Sequence, residues 1–498
     1  MSTPYESFIA AVREIGVLGS IEALLDWDSE TYMPEGGLMA RAEQISLIAS
    51  LTHGRRTSPK IGEWLSQLEG RVEDPAAQTN VREVRRVYDR ATKLPAELVR
   101  QLSKVAVVAK EAWGKARADS DFAAFAPHLS ELVDLKRQVA DLVGYRGERY
   151  DALLDEYEPG MTAAEVEAVF TALRGPLSDF VKQIAAAPRK PDASILHRHF
   201  PRTAQEKFSR RIAEAIGFDF QCGRLDVSKH PFCSGVGPVD VRLTTRYYED
   251  FFSPSVFGVM HEAGHGMYEQ GLPAEHLFTP AGQAVSLGIH ESQSRLWENF
   301  VGRSREFWEG LYPECRSNFS EALGSVTLDD FHAAINIVEP SFIRVEADEV
   351  TYNLHIILRF EIERALIGGK LEARDVPEAW NAKMKEMLGI TPPDAARGCL
   401  QDIHWSAGLF GYFPTYALGN LYAAQFFEAA EKSMPDLRRD IRAGKFAGLL
   451  AWLRGNIHQH GMRYLPGELV QRVTERPLSI EPFLNYVRTK FSPLFGLR

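Results

Sequence analysis

The chain has 498 residues, of which 45% are hydrophobic and 25% charged, with a formal net charge of −10. This length can bury a large core, and the composition is that of an ordinary globular protein. The acidic balance argues against a nucleic-acid partner, which needs a basic footprint. A mean hydropathy of −0.22 and the lack of an 18-residue apolar run argue against a membrane span.

Residues 5–26 place Phe8, Val12, Ile15, Ile21, Leu24 and Leu25 at helical spacing, and Pro34-Glu35-Gly36-Gly37 ends that pattern. Charged and apolar stretches continue to about residue 144, with breaks near Glu73-Asp74-Pro75 and at Pro95. Thr162-Ala163-Ala164-Glu165 is a capping box that opens a helix to about residue 186. Ala187 to Asp192 is the clearest loop, yet no composition shift accompanies it. The chain therefore reads as one unit over 1–498, with an N-terminal helical part of about 1–187 and a second part of about 200–498. Only the middle reads as β. Leu225–Ser228 and Val239–Tyr248 are short, β-branched or aromatic segments, and Ser234–Pro238 between them is a turn. These predict a small antiparallel sheet whose edge could pair with an extended peptide. The fold class is mainly α.

His261-Glu262-Ala263-Gly264-His265 follows that sheet and reads H-E-x-x-H. Histidines four apart lie on one helical face, so their imidazoles can converge on one ion. The glutamate between them can take a proton from a water activated by the metal. Chance would place this pattern in such a chain roughly 0.03 to 0.05 times. The plain alternative is a helix with two ordinary histidines. Ser253-Pro254 predicts the helix start, with Ser253 as N-cap, and Val256, Val259, Met260 and Met267 supply its apolar face. Gly264 and Gly266 weaken the helix but allow close approach of other backbone.

A catalytic zinc needs a third ligand. Gly271 stands where one zinc-peptidase class has its third histidine. Glu291, thirty residues after His261, suits a ligand from the next helix and completes a His2Glu set. Its alternative is a surface ion pair with Arg295, and His290 is the other candidate ligand. Arg295 also stands where many such peptidases carry an aspartate that orients a histidine. That carboxylate must come from elsewhere, with Asp348, Asp402 and Glu298 as candidates.

Six short motifs in order carry a family resemblance. They are His230-Pro231-Phe232, Asp240 to Thr244 (D-x-R-x-T), His261 to His265, His290 to Arg295, Ile343 to Asp348 (I-R-x-x-A-D) and Gly398 to Trp405 (G-x-x-Q-D-x-H-W). Trp27-Asp28, Thr31, Met33-Pro34, Arg41 and Gln44 add to it. The chain resembles the carboxypeptidase Taq family of metallopeptidases over nearly its whole length. The resemblance implies one mostly helical unit with a deep groove, commonly a homodimer, that removes single residues from peptides with a free C-terminus.

A carboxypeptidase of this kind uses Zn2+, with Co2+ able to take its place. His261, His265 and Glu291 are then the ligands and Glu262 the base. His230, His404, Tyr412 and Tyr416 are candidates to stabilise the oxyanion or line the substrate site. Arg344 is the first candidate for gripping the terminal carboxylate and Arg242 the second. Each has an internal ion pair as its alternative, Arg344 with Asp348 and Arg242 with Asp240. Two other functions compete: an oligopeptidase that cuts internally, and a catalytically silent binding protein. Cys222, Cys233, Cys315 and Cys399 lack metal-knuckle spacing, and Met1 to Ile15 has no secretory pattern. Both fit a cytoplasmic chain.

Overall fold

The computed structural model describes residues 3–497. Thr3 and Glu6 form a capping box that opens the first helix, Pro4–Thr31. Leu38–Arg56 folds back against it. Arg41 joins the two helices, reaching Asp28 at 2.7 Å while its Nε donates to Gln44 at 3.0 Å. Helices Pro59–Leu68 and Pro75–Lys93 complete this corner. It has a small core of its own, formed by Phe8, Val12, Ile61, Leu65, Leu68 and Val81. A second, much larger core runs continuously from Leu98 to Phe495.

The capping box predicted at Thr162 is present and opens helix Ala163–Ala185. The sheet is mixed rather than wholly antiparallel. Its strands are β1 (Gly223–Val227), β2 (Cys233–Gly235) and β3 (Val241–Thr245), in the order β1-β3-β2. β1 runs parallel to β3, and only β2 is antiparallel to it. The expected turn at Ser234 is therefore partly strand, because Ser234 pairs with Arg242. β2 is an edge strand, with one side unpaired in the sheet.

The H-E-x-x-H helix, Ser253–Gly271, packs on β3 and β2. Ser253 is its first helical residue and not its cap. Phe252 holds the cap position without a side-chain bond, and Pro254 is in the first turn as expected. Helix Leu287–Arg295 lies across this helix and continues into a π-helical turn, Leu296–Gly302. Gly264 makes that crossing possible. A Cβ there would lie 2.6 Å from both the Gln293 carbonyl oxygen and the Ser294 Cα. Helix Pro414–Ser433 covers the other side of the Glu291 helix, and Gly419 leaves room for the Glu291 side chain. Among the described residues, no helix is long and apolar enough to cross a membrane.

Candidate active site

Three side chains from two crossing helices converge. The Nε2 atoms of His261 and His265 lie 3.6 and 3.4 Å from Glu291 Oε2. One donor atom from each residue falls within 4.8 Å of the others, so the group can hold a metal ion. Glu291 Oε1 accepts a bond from Arg295 Nε at 2.7 Å, so the expected Glu291–Arg295 pair exists, but in a buried setting. The same Arg295 guanidinium lies over the Tyr352 ring, 4.4 Å from its centroid. Burial would raise the Glu291 carboxyl, but Arg295 and the two histidines hold it well below the usual range. It is a permanent anion facing two imidazoles.

The carboxylate missing at position 295 comes from Glu298, whose Oε2 lies 2.9 Å from His261 Nδ1. That bond puts a proton on Nδ1 and leaves Nε2 as the nitrogen that could ligate an ion. Burial and the neighbouring His290 push His265 down to about 3, so its ring is neutral. Burial would lower His261, but Glu291 and Glu298 raise it, so in the absence of an ion its ring holds a proton more readily than a free imidazole. Two imidazole nitrogens and one carboxylate oxygen are the donor types that fit a divalent zinc-like ion. His290 is not part of the set, because its ring turns away to Glu269, with Nε2 to Oε1 at 2.8 Å. Asp348 is not the orienting carboxylate either. It caps its own turn, accepting from the Val350 and Thr351 backbone at 2.9 and 3.0 Å.

Glu262 sits beside this set and is 7% exposed. Burial pushes it up to about 7; His261 opposes the shift, and Glu291 and Glu298 add to it. A carboxyl poised there can accept and return a proton near neutrality.

Arg344 lies in a single 3-10 turn, Arg344–Glu346. Its partner is Asp402, at 2.9 Å, and not Asp348. Arg359 reaches the other oxygen of Asp402 at 2.6 Å. Two guanidinium groups thus share one carboxylate. Arg344 NH1 also donates to the Tyr352 hydroxyl at 2.9 Å. His404 Nε2 lies 3.2 Å from the Tyr416 hydroxyl, and the Tyr412 and Tyr416 rings meet at 5.4 Å. Burial pushes His404 down to about 4, so it is neutral at ordinary pH. Tyr416 precedes Gly419 by one helical turn, which places it near Glu291.

Two candidates lie apart from this cluster. Arg242 on β3 is paired with Asp240 through two bonds of 2.9 and 2.8 Å and stacks 4.3 Å from the Trp27 ring centroid. His230 is exposed in the loop between β1 and β2. A cavity of about 380 Å³ lies between the first helix and the β2 turn, bounded by Val12, Gly16, Gly235, Glu269 and Phe278. None of the three converging residues lines it, but Glu269 is one helical turn beyond His265.

Sequence reasoning missed Glu269 and Arg359. Glu269 had a signal, since it continues the four-residue spacing of His261 and His265. Arg359 had none, because its partner is 43 residues away.

The comparisons with known proteins agree with this geometry. Residues 7–491 match the family model of the carboxypeptidase Taq (M32) metallopeptidases. The chain is 48% identical to thermostable carboxypeptidase 1 of Thermus thermophilus over 99% of both chains. It is 37% identical to carboxypeptidase 1 of Bacillus subtilis, again over 99% of both. The crystal structure of an M32 carboxypeptidase from Deinococcus radiodurans superposes over the full length of both chains with a TM-score of 0.97 at 41% identity. The chain belongs to the carboxypeptidase Taq (M32) family of metallopeptidases.

Proposed function

We propose that this carboxypeptidase is a zinc enzyme that removes single residues of broad character from peptide C-termini. His261, His265 and Glu291 hold the metal, and Co2+ can substitute for it. The observation that carries this reading is the buried Glu262 beside three converging donors of the right chemistry. A divalent ion bound there acidifies a water molecule and polarises the scissile carbonyl. Glu262 accepts the proton of the attacking water and returns it to the leaving amine nitrogen. The Tyr416 hydroxyl, held by His404, donates to the carbonyl oxygen as it gains charge. Tyr412 meets it edge-on and lines the substrate site beside it.

Arg344 receives the terminal carboxylate. Two guanidinium groups against one Asp402 carboxylate leave one positive charge without a partner in that cluster. An uncompensated buried charge is costly, so an arriving anion is favoured there. Arg242 is a weaker candidate because Asp240 already occupies its fork. His230 is exposed and would need the β1–β2 loop to close in order to touch substrate.

We further propose that the whole chain is one peptidase unit, that it acts in the cytoplasm and that it is a homodimer. The core running from Leu98 to Phe495 supports the single unit, and the N-terminal corner is tied to it by contacts such as Ala281 N–H donating to Asn80 Oδ1 at 2.9 Å. Helix Leu38–Arg56 supports the dimer, since it exposes Leu38, Met39 and Leu47 by 60% or more.

The test is a defined peptide incubated with metal-replete and chelated enzyme and read by mass spectrometry. Stepwise loss of C-terminal residues, abolished by the chelator, is the expected result. Equal activity on the C-terminally amidated peptide would instead support the internal-cutting oligopeptidase.

A further inference from the structure

The helix that carries both histidines bears a third polar residue in line with them. Glu269 lies four residues beyond His265, on the same face. Its Oε1 is 2.8 Å from His290 Nε2, and His290 Nδ1 is 2.6 Å from His265 Nδ1. His265 Nδ1 also lies 3.0 Å from the His290 carbonyl oxygen. One set of tautomers satisfies these distances when His265 Nε2 is a metal ligand. With Nε2 of His265 kept free for an ion beside Glu291, its ring hydrogen sits on Nδ1. Two hydrogens cannot face each other across 2.6 Å. His290 therefore accepts at Nδ1 and carries its own hydrogen on Nε2, which it donates to Glu269.

We propose that His290 and Glu269 are positioning residues that fix the ring and tautomer of His265 for metal binding. The proposal rests on His261, His265 and Glu291 being the metal set. The two histidines would then be held by different devices. His261 meets its carboxylate, Glu298, directly at 2.9 Å. His265 reaches its carboxylate through a second imidazole. This relay raises the basicity of His265 Nε2 as a direct carboxylate would, and it places the anion a full residue further from the metal.

Strand β2 holds the far end of the relay. A Cβ on Gly235 would lie 2.8 Å from Glu269 Oε2 and 3.0 Å from its carboxyl carbon. The backbone of β2 is packed directly on the carboxylate, and only glycine leaves that space. Gly235→Ala should push Glu269 off His290 while changing no charged or metal-binding group.

The experiment titrates metal-free protein with zinc in competition with a chromophoric chelator, and with cobalt by visible absorption. His290→Phe should weaken zinc binding by about 10- to 100-fold. Glu269→Gln keeps a neutral acceptor and should lose less, and Gly235→Ala should lose in the same direction. Each should shift the cobalt spectrum. Glu269→Gln combined with His290→Phe should lose no more than His290→Phe alone, since the glutamate acts through the histidine. Circular dichroism and thermal unfolding of the metal-free forms separate these effects from misfolding. Wild-type affinity and spectrum in Glu269→Gln and Gly235→Ala would overturn the relay. Zinc binding retained by His261→Ala would overturn the metal set itself.

Discussion

Glu262 is the residue at which binding and turnover should separate. Glu262→Gln removes the proton acceptor but keeps size and hydrogen-bonding shape. It should keep metal content unchanged and lower kcat by about 10²- to 10⁴-fold, measured by metal analysis and peptide turnover. Arg344 is predicted to behave differently. Arg344→Met should raise KM for free-acid peptides and narrow their preference over amidated ones. It also leaves Asp402 balanced by Arg359 and removes the unpaired charge, so denaturant unfolding should show a loss of no more than about 1–3 kcal/mol, from the hydrogen bonds that Arg344 makes to Asp402 and Tyr352. The convergence of His261, His265 and Glu291 was legible in the sequence because helix geometry ties spacing to direction. The Arg344 pairing was not. Asp402 lies 58 residues away, and a four-residue spacing pointed to Asp348 instead. His290 and Glu291 are adjacent, and only the packing of the helix decides which of them faces the histidines.

At the level of elements, the site depends on how closely two helices cross. The Gly264 contact predicts that Gly264→Ala overpacks the crossing. A destabilisation of about 1–3 kcal/mol in urea unfolding should accompany weaker metal binding, because the strain falls between His261 and Glu291. Glu158 caps the start of the Glu291 helix, accepting from the Gly288 backbone at 3.0 Å and from the Tyr422 hydroxyl at 2.9 Å. The π-helical turn then carries Glu298 to His261. Periodicity in the sequence assumes a regular helix, so this turn left no trace that could be read. Helix existence and the Thr162 cap were readable because both are local. The parallel pairing of β1 with β3 was not, since strand order among three short strands is set by what they pack against.

Across the whole molecule, buried carboxyls set the response to pH. Burial pushes Glu158 and Glu363 up to about 7 from an ordinary 4.5. Their folded values exceed their unfolded ones, so their stabilisation is complete below 4.5 and is lost as pH rises towards 7. Asp402 is the opposite case: despite burial, Arg359 and Arg344 hold it well below its ordinary 3.8, and its contribution is lost only in acid. Glu363→Gln should therefore narrow the difference in Tm between about pH 5 and about pH 8, read by calorimetry of the metal-free protein.

The two separate cores have a further consequence. The first core lies in residues 8–81 and the larger one starts at Leu98, and the cavity beside Glu269 is walled by residues from both sides of that seam. Units with separate cores open independently, and the smaller one opens at lower free-energy cost. Breathing of the N-terminal corner would widen the cavity without disturbing the crossing at Gly264. Mild heating should therefore expose residues 3–93 to a protease at a temperature where zinc binding, read by chelator competition, is unchanged. The molecule would lose its front wall before it loses its metal.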